Sequence, residues 1–429
     1  MENIHYISKY YSLRQLLKSQ WTSKTILEEL QLKKLRNIVN FAYKNCEYYN
    51  KLMKQSNVYP SDINKLEDIR KIPVLTKKKL RVNFEKILPY NVNLEDCWRP
   101  RTSGSTGIPL KLVFDKKAEN FTNAVLLRAN ITVGQRLRDS WVSIIKQSSQ
   151  KKRWFQKFGI LYPQRMFYMA PEDLFERISK INPKILSGYA SAILVLAKYI
   201  QESGKSLKIK PKCVFPTGEI LQPNMRKFMN DVFNTKVFDR FGCAELGRTA
   251  WECEKHEGYH IDMEAVIVEI LSEDFTVLDD GKLGQIAYTG LYNYSFPLIR
   301  YLVGDIAQMS DEECSCGRGL SMLRKISGRS DSFIVNDKGE IFSFRALTTS
   351  LREFNEILQY KVIQENSKLI MIKIIPNLHW RPDSSERIIR AIQNIIGKGV
   401  KVVIKLVDNI PYETSGKILS VKSKIDLRI

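Results

Sequence analysis

No stretch of this 429-residue chain approaches the roughly 20 continuous apolar residues that cross a bilayer. The first twenty residues mix charges with apolar side chains and lack the apolar core of a secretory signal, so the expected compartment is the cytoplasm. The seven cysteines are an odd number in a long chain without a secretion signal, which argues against a disulfide framework. Acid is in deficit: 46 Asp and Glu against 68 Lys and Arg leave a formal charge of +22. Yet there is no zinc-finger array, RNA-recognition signature or long basic arm, and the basic residues run from end to end, so nucleic acid is not an expected partner. What the charge leaves open is an anionic ligand, peripheral association with a membrane surface, or charge scattered over solvated faces. Internal repeats and low-complexity segments are also missing.

What is present is a soluble, globular composition, 44% hydrophobic and 27% charged, over a length that suggests two or three domains. Residues 1 to about 95 read as mostly helical. The stretch 22–53 has apolar residues at helical spacing behind Thr22 or Ser23 as N-cap, and 60–90 is broken by prolines. Helices are expected near 120–135 and within 182–205, the latter fed by a short strand or turn and stopping near Gly204. From 211 the pattern becomes short apolar strands between glycine turns, which with the helices implies an α/β core. A compact α+β module begins after 326–335, with strands at 360–365, 368–375 and 401–407 and helices near 345–357 and 384–397.

The segment RTSGSTGIPLKL (101–112) carries six consecutive hydroxyl or glycine residues, Thr102, Ser103, Gly104, Ser105, Thr106 and Gly107, just before an apolar run. Glycines bring backbone N–H groups close to an anion and hydroxyls add donors, so a phosphate chain is the candidate ligand; no GK[ST] follows, which excludes a Walker A loop. A second constellation is metal-like. CEKHEGYH (253–260) and CSCGRG (314–319) offer Cys253, Cys314 and Cys316 with His260, or His256 as alternative, as a closed tetrahedral Zn²⁺ set of the structural kind. Cys46, Cys97 and Cys213 stand alone and read as small buried residues.

TSGSTG resembles the phosphate-binding loop of the adenylate-forming superfamily, which includes the acyl-CoA ligases. Counterparts of further signatures follow in order: PTGE (216–219), FGCAE (241–245), RYLVGD (300–305), GRSD (328–331) and SGK (415–417). The leucine at 110 and the LSGY segment (186–189) are similar to the phenylacetate–CoA ligase branch and, within it, the CapK type encoded with capsular-polysaccharide genes, many of which carry a similar Cys/His pattern. The resemblance implies an α/β fold with a large N-terminal adenylate-forming domain (1–328), a hinge (329–333) and a small mobile α+β C-terminal lid (334–429). It implies ATP, Mg²⁺ and CoA as cofactors and a small carboxylic acid as substrate. Thr102 to Gly107 would hold the β- and γ-phosphates; Gly218 and Glu219 would lie by the adenine, with Phe241, Gly242 and Tyr301 packed close; Asp305 would accept the ribose hydroxyls. Glu245 would hold Mg²⁺, Arg329 would reach ribose or phosphate, Asp331 would be the pivot, and Lys417, delivered by the lid, would bridge carboxylate and α-phosphate. Ser187, Gly188 and Tyr189 are candidates for the acid pocket. One departure stands out: the family's Thr or Ser before the glutamate is Ala244 here, which removes a hydroxyl from the α-phosphate. The acceptor after adenylation would be CoA or another thiol; an amine or glycan hydroxyl in surface-polysaccharide assembly, and a non-catalytic nucleotide-binding scaffold, are the alternatives.

Overall fold

The computed structural model describes residues 2–102, 110–145, 163–166, 170–207, 210–329, 333–411 and 421–425. Ser103 to Gly107, Asp331 and Lys417 therefore lie outside the described residues. The fold is mixed α/β, and its contacts divide into two compact units, Met1–Val133 with Arg240–Ile326, and Gly134–Asp239 with Ser327–Ile429. Among the described residues no helix is long and apolar enough to cross a membrane.

The first unit opens with helices Glu2–Ser19, Lys24–Asn45 and Glu47–Gln55. Ser23 caps the second helix by accepting from the Ile26 N–H, as the sequence pattern anticipates. Leu27, Leu35, Ile38, Val39 and Ala42 form its buried stripe at helical spacing. The proline-broken stretch resolves into 3₁₀ turns and two short helices, Lys77–Val82 and Phe84–Ile87. It is anchored by buried Ile63, Ile69, Ile72, Leu75 and Leu80. Helix Lys116–Thr132 lies a few residues earlier than the spacing predicts, started by Asp115, which accepts from Ala118 N–H. Seven strands complete the unit, in spatial order Arg240–Cys243, Gly247–Trp251, Tyr259–Ile261, Met322–Arg329, Tyr301–Met309, Leu283–Gly290 and Val266–Leu271.

Behind that sheet sits a charge cluster that no local pattern announces. The guanidinium of fully buried Arg128 bonds Glu264 at 2.7 Å and pairs with Asp262, which also accepts from Trp251 Nε1 at 3.0 Å. Lys34 donates to the Glu264 carbonyl at 2.6 Å. The Ser19 hydroxyl also donates to Glu264, so three helices are tied to the 262–264 segment, and removing a single partner would strand a buried charge, at a cost of about 3–5 kcal/mol.

In the second unit the strands Gln164–Met166, Trp141–Ile144, Ile185–Tyr189, Cys213–Thr217 and Lys236–Val237 run parallel. Helices Pro171–Ile181, Ala190–Ser203 and Pro223–Phe233 cover them, and Gly204 ends the second of these at φ 65°, in the left-handed region that favours glycine. The C-terminal module has its own core, in which Ile334, Leu347, Tyr360, Ile372, Ile388 and Val402 are buried together. Its sheet orders Lys401–Leu406, Leu369–Pro376, Ile357–Asn366 and Val421–Ser423. Helix Phe344–Arg352 is shorter than the 345–357 the sequence suggests, because the chain must turn before the strand that begins at Ile357. Leu358, Ile375 and Ile410 also join the parallel-sheet core. Asn224 reinforces that junction by donating to the carbonyls of Asn355 at 3.1 Å and Ile357 at 2.8 Å.

Candidate active site and metal centre

Residues 98–102 and 110–114 pair as a narrow ribbon. Trp98 pairs with Phe114 and Arg101 with Lys111. Thr102 closes it twice: its N–H donates to the Leu110 carbonyl and its hydroxyl accepts from the Leu110 N–H, both at 2.9 Å. The Thr102 hydroxyl is therefore engaged in pairing 102 with 110, a role the Ser/Thr/Gly composition did not distinguish from ligand binding.

The FGCAE segment sits at the tight hairpin between strands Arg240–Cys243 and Gly247–Trp251. A Cβ on Gly242 would lie 2.2 Å from the Gly247 carbonyl oxygen, so only glycine fits. Phe241 is half-buried, and Ala244 is exposed. Glu245 is 6% exposed, and one carboxylate oxygen accepts from the hydroxyl of fully buried Tyr301 at 3.0 Å. Tyr301, expected near the adenine, thus holds the carboxylate. Its strand is fixed by Arg300, which stands at φ 49° and grips Glu269 through two 3.0 Å bonds while donating to the Ile72 carbonyl at 2.8 Å. Asp305 follows on the same strand, half-exposed after Gly304 (φ 84°). Burial first, then the charges of Glu245 and Asp305, push the Cys243 thiol well above its ordinary range. Two carboxylates of the expected nucleotide site therefore act on one neighbourhood. With Glu245 as the Mg²⁺ ligand the resemblance implies, Tyr301→Phe should keep the fold and cost about 1.5–3 kcal/mol of support for that carboxylate, read as a roughly tenfold or larger rise in the Mg²⁺ concentration for half-maximal activity.

In the second unit the candidates have structural partners. Glu219 accepts from the N–H of Ser191 at 2.7 Å and from its hydroxyl at 2.9 Å, which places a carboxylate on the first turn of helix Ala190–Ser203. Gly218 supplies φ 75° just after strand Cys213–Thr217. Ser187 is buried, accepting from Trp141 Nε1 at 2.7 Å and donating to the Val142 carbonyl at 3.3 Å, so its hydroxyl is engaged within the sheet. A Cβ on Gly188 would meet the Ile144 carbonyl oxygen at 2.5 Å. Tyr189 is half-buried at the helix start. Arg329 ends strand Met322–Arg329.

The ligand atoms of Cys253, His260, Cys314 and Cys316 lie within 4.8 Å of one another. Cys253 Sγ is 3.6 Å from Cys314 Sγ, and Cys316 Sγ is 3.3 Å from His260 Nε2. Zn–S bonds of about 2.3 Å in a tetrahedron give sulfur–sulfur edges of about 3.8 Å, so the donors fit the ion. Burial, helped by the Arg318 charge, lowers His260 to about 4, which keeps the imidazole neutral as a ligand must be. Burial opposes ionisation of Cys316, but the N–H and side chain of Arg318 outweigh it and bring that thiol below its ordinary range. His256 is not in the group: it stands at φ 56° with Nδ1 3.4 Å from a Glu252 carboxylate oxygen. Of the lone cysteines, Cys46 and Cys213 are buried, whereas Cys97 is half-exposed in a polar turn with its thiol 3.3 Å from the Asn93 carbonyl.

The chain is similar to known proteins over most of its length. The CapK C-terminal domain family matches residues 334–424. Protein CapK of Staphylococcus aureus is 23% identical over 406 residues, covering 91% of this chain and 88% of that one. The phenylacetate-coenzyme A ligase of Thermus thermophilus is 22% identical over 435 residues, covering 94% and 97%. Among solved structures, 2-hydroxyisobutyryl-CoA ligase in its postadenylation state, bound to an acyl-AMP, superposes with a TM-score of 0.75 at 19% identity, covering 95% of this chain and 91% of that one.

Proposed function

We propose that this chain, a relative of CapK and of phenylacetate–CoA ligases with the adenylate-forming fold, activates a carboxylic acid with ATP and passes the acyl group to CoA or another thiol. The observation that supports this most directly is the buried Glu245 carboxylate held by Tyr301, with Asp305 four residues on in the same strand. Attack of a carboxylate on the α-phosphorus brings two anions together, so the site must supply cations and oriented donors. In this reading Glu245 holds the Mg²⁺ of MgATP, a hard cation that takes carboxylate and phosphate oxygens. Asp305 accepts the ribose hydroxyls, Phe241 and Gly242 leave a face for the base, and 103–107 supply the phosphate donors. Gly218 borders the adenine, whereas Glu219 acts through the helix it caps. The 334–429 module acts as the lid, Asp331 as its pivot, Arg329 as a contact of ribose or phosphate, and Lys417 as the cation delivered between the anions. Cys253, His260, Cys314 and Cys316 hold a structural Zn²⁺ that takes no part in the chemistry. Gly188 and Tyr189 border the acid pocket, and cytoplasmic placement belongs to the same reading.

The resemblance to the CapK type, whose C-terminal domain family matches 334–424, raises a second acceptor class, an amine or glycan hydroxyl. The test is a panel of aryl, acyl and sugar acids with ATP and Mg²⁺. One class should release AMP and pyrophosphate in equal amounts, and competition between CoA and a nucleotide sugar should then identify the acceptor. Binding of ATP without AMP release across the whole panel would overturn the enzymatic reading and leave a nucleotide-binding scaffold.

A further inference from the structure

Eleven large hydrophobic side chains are exposed among the described residues, and four of them crowd into residues 10–26: Tyr10, Tyr11, Trp21 and Ile26, each more than half exposed. The helix Glu2–Ser19 explains the arrangement. Leu13 and Leu16 are buried on one side, where the helix packs against Lys116–Thr132. At about 100° per residue, Tyr10, Arg14 and Lys18 share the opposite side with Tyr11 beside them, and all four are exposed. Trp21 follows the helix end, and Lys24 and Ile26 are exposed at the start of the next helix. The Arg318 guanidinium stacks 4.4 Å from the Trp21 ring centre, which fixes the indole in place while half of it faces solvent. No Asp or Glu occurs from residue 3 to residue 27, in a chain that carries 46 of them. Lys24 has one weak acidic neighbour, Glu28 at 3.9 Å.

We infer that this face is a docking surface for an anionic bilayer. The helix already spends its leucines on the protein body, so the contact is a shallow one at headgroup depth rather than an insertion. Tyrosine and tryptophan suit that depth, with apolar rings and polar tips. The basic groups between them meet anionic headgroups, and the acids that border the face, Glu28 beside Lys24 and Glu254 beside Arg318, are each already near a basic partner, in keeping with a chain of net charge +22. Arg14, Lys18 and Lys24 together should give roughly a hundredfold preference for anionic over neutral vesicles at low salt. The inference does not depend on the catalytic reading.

The test is co-sedimentation of the full chain with vesicles of phosphatidylcholine alone or mixed with phosphatidylglycerol. Binding to the mixed vesicles only, falling with salt, is expected. Tyr10→Ser/Tyr11→Ser/Ile26→Ser should lower that partitioning at least about tenfold, with an unchanged melting curve, since these side chains are exposed. Arg14→Glu/Lys18→Glu should do the same, whereas Lys54→Glu/Lys78→Glu, an equal charge change on other exposed sites, should not. Equal losses in the two charge variants would mean diffuse attraction and overturn the assignment, as would absence of binding. Concentration-dependent self-association abolished by the triple variant would make the face a protein interface, and would overturn it too.

Discussion

Lys417→Ala is expected to lower acid-dependent ATP–pyrophosphate exchange by about 10²–10³ or more, the usual consequence of removing one group that meets charge developing in a transition state. The carboxylate and the α-phosphate repel each other until a cation lies between them. A lysine suits that task because its charge is compact and its stem long enough to be carried in by a moving segment. Lys417→Arg should not restore the rate, since a planar guanidinium presents its charge over a wider fork. The informative contrast lies in the second step. If the lid swings and takes the lysine away before acyl transfer, an acyl-adenylate supplied ready-made should be consumed by the acceptor at nearly the normal rate in the same variant. Undiminished exchange in Lys417→Ala would remove this residue from its role. Loss of both steps would mean that the lysine supports the lid rather than the chemistry.

Much of the layout was legible because its signals are local. Ser23 as a cap, Gly204 as a stop and the glycine-separated strands after 211 all depend on residues within a few positions of one another. The Cys/His cluster was readable for a related reason, since Cys253 and His260 fall on one hairpin and Cys314 and Cys316 on one turn. Long-range partnerships were not legible. Tyr301 reads as a ring near the base, and nothing local shows that its hydroxyl also finds Glu245 across 56 residues, a pairing set by strand register. Glu219 reads as an adenine contact, and nothing local shows that its carboxylate also caps helix Ala190–Ser203 through Ser191, 28 residues earlier. The short helices Pro171–Ile181 and Pro223–Phe233 were missed because three buried positions apiece give too short a repeat to stand out. Arg128, Asp262 and Glu264 were invisible for the same reason as Tyr301, each acid lying more than 130 residues from the arginine it neutralises.

Purified protein should contain one zinc per chain, and Cys314→Ser/Cys316→Ser should contain none. The double variant gives up half of a closed ligand set, and a structural Zn²⁺ contributes directly to folding free energy. Because much of the first unit is held independently by its helices and the Arg128 cluster, we expect a drop of roughly 5–15 °C in melting temperature rather than an unfolded chain. Chelation of the wild-type protein should release thiols to a disulfide reagent, Cys316 first, since Cys253 and Cys314 are nearly inaccessible. Protein without zinc, and a double variant that melts with wild type, would leave these residues as unmetallated thiols. The consequence should extend beyond the cluster. Arg318, two residues after Cys316, stacks on Trp21 and donates to the Gln20 side chain at 3.3 Å, while the Gly319 N–H donates to the Gln20 carbonyl at 3.1 Å. A Cβ on Gly319 would lie 1.9 Å from the Thr22 carbonyl oxygen, so the metal turn and the aromatic turn are in direct backbone contact. Loosening the first should therefore free the Trp21 ring and weaken binding to anionic vesicles, without any change in the basic residues of that face.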